Sequence, residues 1–241
     1  MKDKILIFII TYKASYRVKK VVQKIPFKYF KNKNYKILVS DDDSRDDTLN
    51  YIKQIKKKYK SKVVVNYIKK NVGYGANIKK CINYAYKNNY SHAVMIHGDN
   101  QYNPKYAAIM LEKLFQNRKL AATVGSRMTK KINALKGRMP LYKFIGNIFL
   151  TGIFNLLYGT NFADCHTGYW AYNLKLIRND VFKNLDNSFC FDIDLRLQLV
   201  SNKKSIKEIP IETFYGSERS AIHFIYAVRF FLKILIFKIF K

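Results

Sequence analysis

The sequence predicts an α/β fold built around one mostly parallel β-sheet, on the strength of three observations. Apolar segments of strand length alternate with segments of helical periodicity through residues 1–125. The connections between the strand-like segments are long enough for helices, and such crossovers are typical of parallel strands. The chain has 241 residues, 49% of them hydrophobic, so it can bury a core of the size that one large domain needs.

Five strands are predicted in this first half of the chain. Residues 4–11 (KILIFIIT) are apolar on both faces, as is typical of a buried parallel strand. The other four strands are predicted at residues 35–40, 62–68, 92–99 and 120–126. Helices are predicted between them at residues 16–25, 49–59, 78–85 and 108–115. We expect Ser44 to cap the second helix and Asn103–Pro104 to begin the fourth, because these residue types favour helix starts.

Residues 141–158 form a long and almost uncharged segment of the second half. Polar side chains recur there every four residues, which predicts an amphipathic helix with one polar stripe. The stripe consists of Lys143, Asn147, Thr151 and Asn155. We expect this helix to pack on the sheet, although its length would also suit a membrane interface or a bilayer crossing. A further helix is predicted at residues 189–200, and an edge strand that contains Pro210 at residues 206–216.

The C-terminal segment, residues 222–241, has the pattern of a basic amphipathic helix. Its apolar side would consist of Phe224, Ile225, Val228, Phe231, Leu232, Leu235, Ile236 and Ile239. The opposite half would carry Arg229, Lys233, Lys238 and Lys241. Charges within the span make a bilayer crossing costly, whereas such a helix suits the membrane interface. The alternative is a helix that closes the core. We therefore divide the chain into a domain at 1–220 and a membrane-associating helix at 221–241.

The formal net charge of +29 needs an explanation. It reflects in part abundant lysine spread over solvated faces, and in part attraction to a polyanion. An anionic membrane surface is favoured over nucleic acid, because no basic block is interleaved with aromatic residues in the pattern of a nucleic-acid module. Three widely spaced cysteines argue against a disulfide framework or a structural zinc site. With no N-terminal signal visible, we expect a protein peripheral on the cytoplasmic face of the membrane.

Polar side chains follow two of the predicted strands where each strand ends. Asp99 and Gln101 lie in MIHGDNQYNP, and Asp41 and Asp42 follow the second strand. In parallel sheets ligands bind beyond the carboxyl ends of the strands. Two oxygen ligands on one short loop suit a hard cation such as Mg²⁺ or Mn²⁺, which takes further ligands from water and phosphate. Asp41 and Asp42 could accept hydrogen bonds from a nucleobase or ribose, so the sequence predicts a site for a nucleoside diphosphate.

Six segments, in the order in which they occur, resemble the family 2 glycosyltransferases. They are ILIFIITYKAS, ILVSDDDSRDDT, NVGYGAN, MIHGDNQYNP, VGSRM and DCHTGYWAY. The resemblance covers about residues 4–220 and is strongest to the dolichol- or polyprenyl-phosphate sugar synthase-like branch. It implies a GT-A-type, Rossmann-like nucleotide-sugar-binding domain. It also implies transfer of a sugar from a nucleoside-diphosphate donor, with inversion and with a divalent metal.

The resemblance also assigns roles to individual residues. The nucleotide site would comprise Thr11, Tyr12, Asp41, Asp42, Gly73 and Asn77. Asp99 and Gln101 match the metal-binding end of the family's D-x-D element, in which His97 stands in place of the first acid. His97 could bind an ion such as Mn²⁺, orient a phosphate, or serve as a structural residue at the strand end. Phosphate of the donor or acceptor would be held by Arg127, Arg138, Lys143 and Arg219.

The choice of acceptor depends on whether a general base is present. A hydroxyl acceptor needs one, and the candidates are Asp164, His166, Asp192 and Asp194. For Asp164 a second role has equal weight, namely that of a buried carboxylate paired with an arginine. A polyprenyl phosphate is already an anion and needs only cations, which favours it as acceptor. The alternatives are a saccharide hydroxyl in cell-surface polysaccharide or lipopolysaccharide synthesis, and a catalytically silent basic membrane-binding module. Action beside an integral membrane partner is also open.

Overall fold

A computed structural model describes residues 3–215 and 224–240, and it contains one seven-stranded mixed sheet. In chain order the strands are β1 (Lys4–Thr11), β2 (Asn34–Asp42), β3 (Val63–Ile68), β4 (His92–His97), β5 (Leu120–Ser126), β6 (Trp170–Asn173) and β7 (Ser205–Pro210). Their order across the sheet is β3-β2-β1-β4-β6-β5-β7. All neighbours are parallel except β6, which runs antiparallel to both β4 and β5. The predicted α/β class with a mostly parallel sheet is confirmed.

Helices cover both faces of the sheet. They are α1 (Arg17–Gln23), α2 (Phe27–Phe30), α3 (Thr48–Tyr59), α4 (Tyr74–Lys87), α5 (Tyr106–Gln116), α6 (Lys131–Lys136), α7 (Leu141–Tyr158), α8 (Asn179–Lys183), α9 (Phe191–Ser201) and α10 (Phe224–Ile239). The core on one face is supplied by α1, α3 and α5, and the core on the other by α4, α8 and α9. Alternate residues of β1 enter the two cores, which explains why this strand is apolar at every position.

Two of the predicted helix starts are wrong, the first for a tertiary reason and the second for a local one. Helix α3 begins at Thr48, because the Ser44 hydroxyl accepts a hydrogen bond from the Lys13 backbone N–H at 2.8 Å instead of capping the helix. Helix α5 begins at Tyr106 rather than at Pro104. The Asn103 side chain there accepts from the Lys105 N–H at 3.0 Å, which forms a turn before the helix.

Strand β6 was not predicted. It has only four residues, all buried, and it is inserted between β4 and β5 in the opposite direction. The sequence around β6, DCHTGYWAY, was interpreted as a functional motif. A strand of four residues is also too short to show a clear alternation of apolar and polar side chains. The insertion brings the start of this motif to the same edge of the sheet as the end of β4.

Helix α7 does not pack mainly on the sheet, so that prediction is wrong. Its chief neighbours among the helices are α6 and α10. It has an exposed apolar side, the outer face of α7, which comprises Leu141, Tyr142, Ile145, Ile148, Phe149 and Leu156. In the described residues α7 is the one helix whose length and hydropathy would allow it to cross a membrane, and 22% of it is buried. A single such helix is weak evidence for a span.

Helix α10 packs against α7 and α9 through Phe230 and Ile234. The C-terminal helix therefore closes part of the core, as in the alternative that the sequence left open. An outer face remains exposed, with Ile225, Val228, Leu232, Ile236 and Ile239. Arg229 and Lys233, which the sequence places on the opposite half of the helix, both form ion pairs with Asp186 of the domain. The predicted boundary at residue 220 lies outside the described residues.

The three cysteines, Cys81, Cys165 and Cys190, are all free thiols and all buried. Burial raises the pKa of Cys81 and of Cys165 to about 12.

Candidate nucleotide-sugar site

Three parallel strands end together and define one edge of the site. Ile10 of β1 is paired with His97 of β4, and Thr11 of β1 is paired with Asp41 of β2. The Gly98 N–H donates to the Ile10 carbonyl at 2.9 Å. A Cβ added to Gly98 would lie 2.8 Å from the Thr11 Cβ, so the chain leaving β4 runs directly against the end of β1. The strand register therefore brings Thr11, Asp41 and the Asp99 loop to the same edge.

Thr11 and Asp41 present two hydrogen-bond acceptors at this edge. One carboxylate oxygen of Asp41 accepts from the Ser44 N–H at 3.0 Å. Within residues 3–215 and 224–240, the other oxygen of Asp41 and the Thr11 hydroxyl have no partner, although both atoms are buried. Burial also raises the pKa of Asp41. A buried acceptor normally has a donor, so these two oxygens fit a ligand that brings N–H or O–H groups. Tyr12 beside them is 48% exposed.

Asp42, Gly73 and Asn77 shape the glycine loop. The two oxygens of Asp42 accept from the N–H groups of Val72 and Gly73 at 2.9 and 3.0 Å. Gly73 has φ +93°, a conformation that strains other residues. The Asn77 amide bonds twice to Ser40, accepting from its hydroxyl at 2.6 Å and donating to its carbonyl at 3.2 Å. Asp42 and Asn77 are thus committed to fastening this loop and α4 to β2.

Asp99 and Gln101 lie on an exposed turn after β4. One Asp99 oxygen accepts from the Gln101 N–H at 2.9 Å, and Asn100 between them has φ +65°. No cluster of three or more His, Cys, Asp or Glu side chains that could hold a metal occurs in the described part of the chain. The turn therefore fits a hard cation that takes most of its ligands from phosphate and water, and it does not fit a site closed by protein ligands.

His97 directs one ring nitrogen into the protein. Nε2 lies 2.8 Å from the Gly168 carbonyl oxygen and 3.5 Å from the Tyr74 hydroxyl. The carbonyl can only accept, so Nε2 carries the proton. Burial lowers the pKa of His97, which keeps the ring neutral. With Nε2 occupied in this way, the geometry favours the structural strand-end role over a metal-binding role for that atom.

The Tyr74 hydroxyl connects His97 to a buried carboxyl group. It donates to Asp192 at 2.8 Å. A Cβ on Gly168 would lie 2.6 Å from the Tyr74 oxygen and 3.2 Å from Asp192, so only glycine fits beside this group. Burial raises the pKa of Asp192 to about 7. Tyr74 and Gly168 were not singled out from the sequence, although NVGYGAN and DCHTGYWAY contain them.

Arg127 and Asp164 form a buried ion pair. The guanidinium donates from Nε to one Asp164 oxygen at 2.7 Å and from Nη2 to the other at 2.9 Å. Further N–H groups of Arg127 reach the His166 carbonyl and the Tyr215 hydroxyl, each at 2.9 Å. The Arg127 side chain is 11% exposed. Most of its donors are therefore committed inside the protein, which weakens the prediction that Arg127 faces a phosphate.

Asp164 is fully buried and well supplied with donors. Besides Arg127, it accepts from the Asn147 amide at 2.8 Å. Although burial alone would raise the pKa of Asp164, the Arg127 guanidinium holds it well below its usual range. This is the alternative that the sequence left open, a carboxylate paired with an arginine, and it does not suit a general base. The neighbouring His166 ring is also buried, lies against Phe230 with a ring-centre distance of 5.3 Å, and has its pKa lowered by burial to about 4.

Two more of the residues that were predicted to bind phosphate, Lys143 and Arg138, lie near the start of α7. The Lys143 ammonium lies 5.7 Å from the centre of the Tyr215 ring. Burial, and to a smaller degree the nearby charge of Arg127, lowers the pKa of Lys143. Arg138 stacks over Phe214 at 5.4 Å. Arg219, the fourth predicted cation, lies outside the described residues.

A cleft of ≈ 400 Å³ opens beside Gln101. Amide side chains and lysines line much of it, among them Gln101, Asn103, Asn133, Lys24 and Lys136. Phe214 also lines it, so the cleft extends toward Arg138. The sequence did not predict this cleft, because its walls come from four separate segments of the chain.

Asp194 is bound to the C-terminal helix. Its carboxylate lies 2.9 Å from the Lys233 ammonium and also accepts from the Asp186 N–H at 3.0 Å. Nothing in the local sequence pattern links residue 194 to residue 233, so Lys233 was missed. A carboxylate held in this way is poorly placed to act as the predicted general base.

Comparison with known families gives one match that covers most of the chain. The model described as "Glycosyl transferase family 2" matches residues 6–180. UDP-N-acetylglucosamine–dolichyl-phosphate N-acetylglucosaminyltransferase of Methanococcus voltae is 27% identical over 230 residues, which cover 89% of this chain and 88% of that protein. An uncharacterized protein of Methanocaldococcus jannaschii is 27% identical over 190 residues, which cover 75% and 77% of the two chains.

Solved structures of glucosyl-3-phosphoglycerate synthase from Mycobacterium tuberculosis share the fold. The complex with Mn²⁺, uridine diphosphate and phosphoglyceric acid has a TM-score of 0.69 and 11% identity, covering 98% of this chain and 78% of that one. The complex with Mg²⁺ and uridine diphosphate has a TM-score of 0.66 and 11% identity, with coverage of 98% and 79%. Sequence identity at this level supports a shared architecture and nothing further.

Proposed function

Since the chain belongs to glycosyl transferase family 2 and is a glycosyltransferase with the GT-A fold, we propose that it transfers a sugar from a nucleoside-diphosphate sugar to a polyprenyl phosphate. A phosphate oxygen of the acceptor attacks the anomeric carbon, and the bond to the diphosphate breaks. One such displacement inverts the configuration at that carbon. The nucleoside diphosphate leaves as an anion, and no proton has to be removed from the acceptor.

The donor is assigned to the edge formed by β1, β2 and β4. The buried oxygens of Thr11 and Asp41 accept hydrogen bonds from the nucleoside, and the exposed Tyr12 ring is available to contact it. Asp42, Gly73 and their hydrogen bonds shape the loop next to this position.

A divalent cation, Mg²⁺ or Mn²⁺, is assigned to Asp99 and Gln101. When bound there, it would neutralise the charge that develops on the departing diphosphate. The exposed turn with two oxygen ligands supports this assignment. The M. tuberculosis enzyme holds uridine diphosphate together with Mn²⁺ or Mg²⁺, which is a second line of support.

A phosphate acceptor is favoured because two of the candidate bases are engaged elsewhere. Asp164 is paired with Arg127, and Asp194 is paired with Lys233. An attacking phosphate needs no base, only cations that hold it. Lys143 and Arg138, together with Lys136 in the cleft beside Gln101, are assigned that role. The M. voltae relative is named for a dolichyl-phosphate acceptor, which agrees with this choice.

The single observation that carries the lipid part of the proposal is the position of Lys143. It lies in the first turn of α7, whose exposed apolar residues begin at Leu141 and Tyr142. A lipid chain lying along the outer face of α7 would therefore have its phosphate within reach of this lysine. We extend the proposal to association of α7 and α10 with the cytoplasmic face of an anionic membrane, with or without an integral membrane partner.

The test is an activity assay on the full chain. The purified protein is incubated with Mn²⁺ or Mg²⁺, a panel of nucleotide sugars, and undecaprenyl phosphate in detergent. We expect release of a nucleoside diphosphate with at least one donor, dependent on the lipid phosphate. Asp99→Asn should reduce the rate by roughly 100-fold or more, because it removes the charge that faces the cation.

Glu112→Gln is the matched control, since this carboxylate lies on α5 and hydrogen-bonds to Tyr29 away from the sheet edge. It should leave the rate within about twofold of wild type, as expected for a change distant from the site. Turnover that requires a saccharide hydroxyl, with no response to lipid phosphate, would contradict the proposed acceptor. Absence of any nucleotide release, with Asp99→Asn equal to wild type, would overturn the enzyme assignment.

A further inference from the structure

The inward side of α10 binds a loop that borders the nucleotide site. The loop comprises residues 186–190, between α8 and α9, and is called the 186–190 loop below. We propose that Lys233 is a positioning residue for the nucleotide donor, acting through this loop on the start of α4. The proposal rests on the proposed function, because it assumes that a nucleotide binds beside the glycine loop.

Lys233 neutralises two carboxylates at once. Its ammonium lies 3.1 Å from Asp186 and 2.9 Å from Asp194. The two acids are also joined directly, because the Asp186 N–H donates to the Asp194 carboxylate at 3.0 Å. Arg229, one turn earlier on α10, lies 3.5 Å from Asp186 and is more exposed. Without the lysine, Asp194 would lose its ion-pair partner and Asp186 would keep only the longer contact with the more exposed Arg229, so repulsion between the two partly buried carboxylates would push the loop outward.

The 186–190 loop lies against the first turn of α4. A Cβ on Gly75 would collide with the Asp186 carbonyl oxygen, so the backbones are in direct contact there. The Asn187 carbonyl accepts from the Ala76 N–H at 3.1 Å. The same oxygen would lie 3.1 Å from a Cβ on Gly73, whose N–H is bound by Asp42. A displaced loop would therefore disturb the glycine turn that borders the nucleotide.

Aromatic contacts form a second connection between α10 and the sheet edge. Tyr226 of α10 meets Phe189 edge-on, with ring centres 5.3 Å apart. Phe189 stacks on Tyr74 at 5.1 Å. The Tyr74 hydroxyl donates to Asp192 and approaches His97, two residues before Asp99. Both connections converge on the start of α4, which explains how a C-terminal helix can act on the donor site.

The test compares two lysines of the same helix. Lys238 is the control, because its ammonium lies over the Tyr158 ring at 5.6 Å, on the part of α10 that faces α7. Binding of uridine diphosphate with Mn²⁺, and of guanosine diphosphate as a second probe, is measured by calorimetry on the full chain. Steady-state kinetics follow with the donor that is active in the assay above.

We expect Lys233→Ala to weaken nucleotide binding and to raise the donor KM by roughly 5- to 10-fold, with kcat changed far less. Lys233→Arg should restore binding, because it keeps a cation between the acids. Lys238→Ala should bind as wild type does. Adding Asp186→Asn to Lys233→Ala should recover part of the loss, since it removes one of the two facing charges.

Wild-type nucleotide affinity in Lys233→Ala would overturn the proposal, and so would an equal loss in Lys238→Ala. A fall in kcat with an unchanged donor KM would overturn it as well. If Lys233→Ala fails to fold, the decision passes to Lys233→Arg, whose affinity must lie near that of wild type, and to the double variant, whose affinity must lie measurably below it. Failure of the proposed function is distinguishable, because the wild-type protein itself would then bind neither nucleotide.

Discussion

At the scale of single residues, burial changes the chemistry of Asp192 most clearly. Its carboxyl group is buried, hydrogen-bonded by Tyr74, and has its pKa raised to about 7, against about 3.9 in an unfolded chain. Between about pH 4 and about pH 7 the folded protein thus holds a proton that the unfolded chain has released. The free energy of unfolding should therefore fall as the pH rises through this window.

Asp192→Asn should abolish that decline, because an amide keeps the acceptor for Tyr74 and does not ionise. The thermal midpoint is measured for wild type and variant at about pH 5 and about pH 8. We expect the stability of the variant relative to wild type to rise between these two pH values, by on the order of 1.4 kcal/mol for each pH unit between about 5 and the folded pKa of about 7. An equal pH response in the two proteins would show that Asp192 does not titrate in this range.

The sequence was sufficient to predict that Asp41 and Asp99 share one edge of the sheet, because parallel strands bring their carboxyl ends together. It was not sufficient for the partners of Arg127 and Lys233. Asp164 is 37 residues from Arg127 along the chain, and Asp194 is 39 residues from Lys233. Such pairs depend on how separate elements pack, and no local spacing encodes them.

At the scale of elements, α7 offers the sharpest prediction. Its outer face presents Ile145 and Phe149 to solvent, at 57% and 62% exposure. Burial of such a side chain in a membrane interface is worth about 1.5–3 kcal/mol, and a charge there is unfavourable. Ile145→Glu combined with Phe149→Glu should therefore reduce association with phosphatidylglycerol vesicles by roughly 10-fold or more, as measured by flotation.

Ile109→Glu is the control for this change, since Ile109 is 45% exposed on α5, on the face of the sheet that α1 and α3 also cover. It should float as wild type does. Loss of flotation in the control alone, or unchanged flotation in the α7 variant, would contradict a membrane role for α7.

Apolar runs and helical spacing were enough to predict most strands and helices, but not their exact limits. The start of α3 depends on a hydrogen bond between Ser44 and Lys13, two residues that are far apart along the chain. The packing of helix α7 was predicted wrongly for a related reason. Its periodicity indicated one apolar side, whereas the position of α10 determines which part of that side is covered.

At the scale of the whole molecule, the net charge of +29 should make membrane association depend on salt. Attraction between exposed lysines and anionic lipids weakens as the Debye length falls from about 14 Å near 50 mM to about 4 Å near 500 mM salt. We expect binding to phosphatidylglycerol vesicles to fall by roughly 10-fold or more over that range. Binding to neutral phosphatidylcholine vesicles should be weak at both concentrations. Equal affinity under all four conditions would mean that apolar contact alone drives association.

The buried cysteines have a practical consequence for such experiments. A reagent that alkylates thiols should leave the native protein unmodified, since Cys81, Cys165 and Cys190 are enclosed by the fold. Ile145→Cys would then supply a single addressable attachment point without removal of any natural cysteine. A polarity-sensitive fluorophore coupled there would change colour when α7 leaves water, so lipid contact could be followed in real time during catalysis.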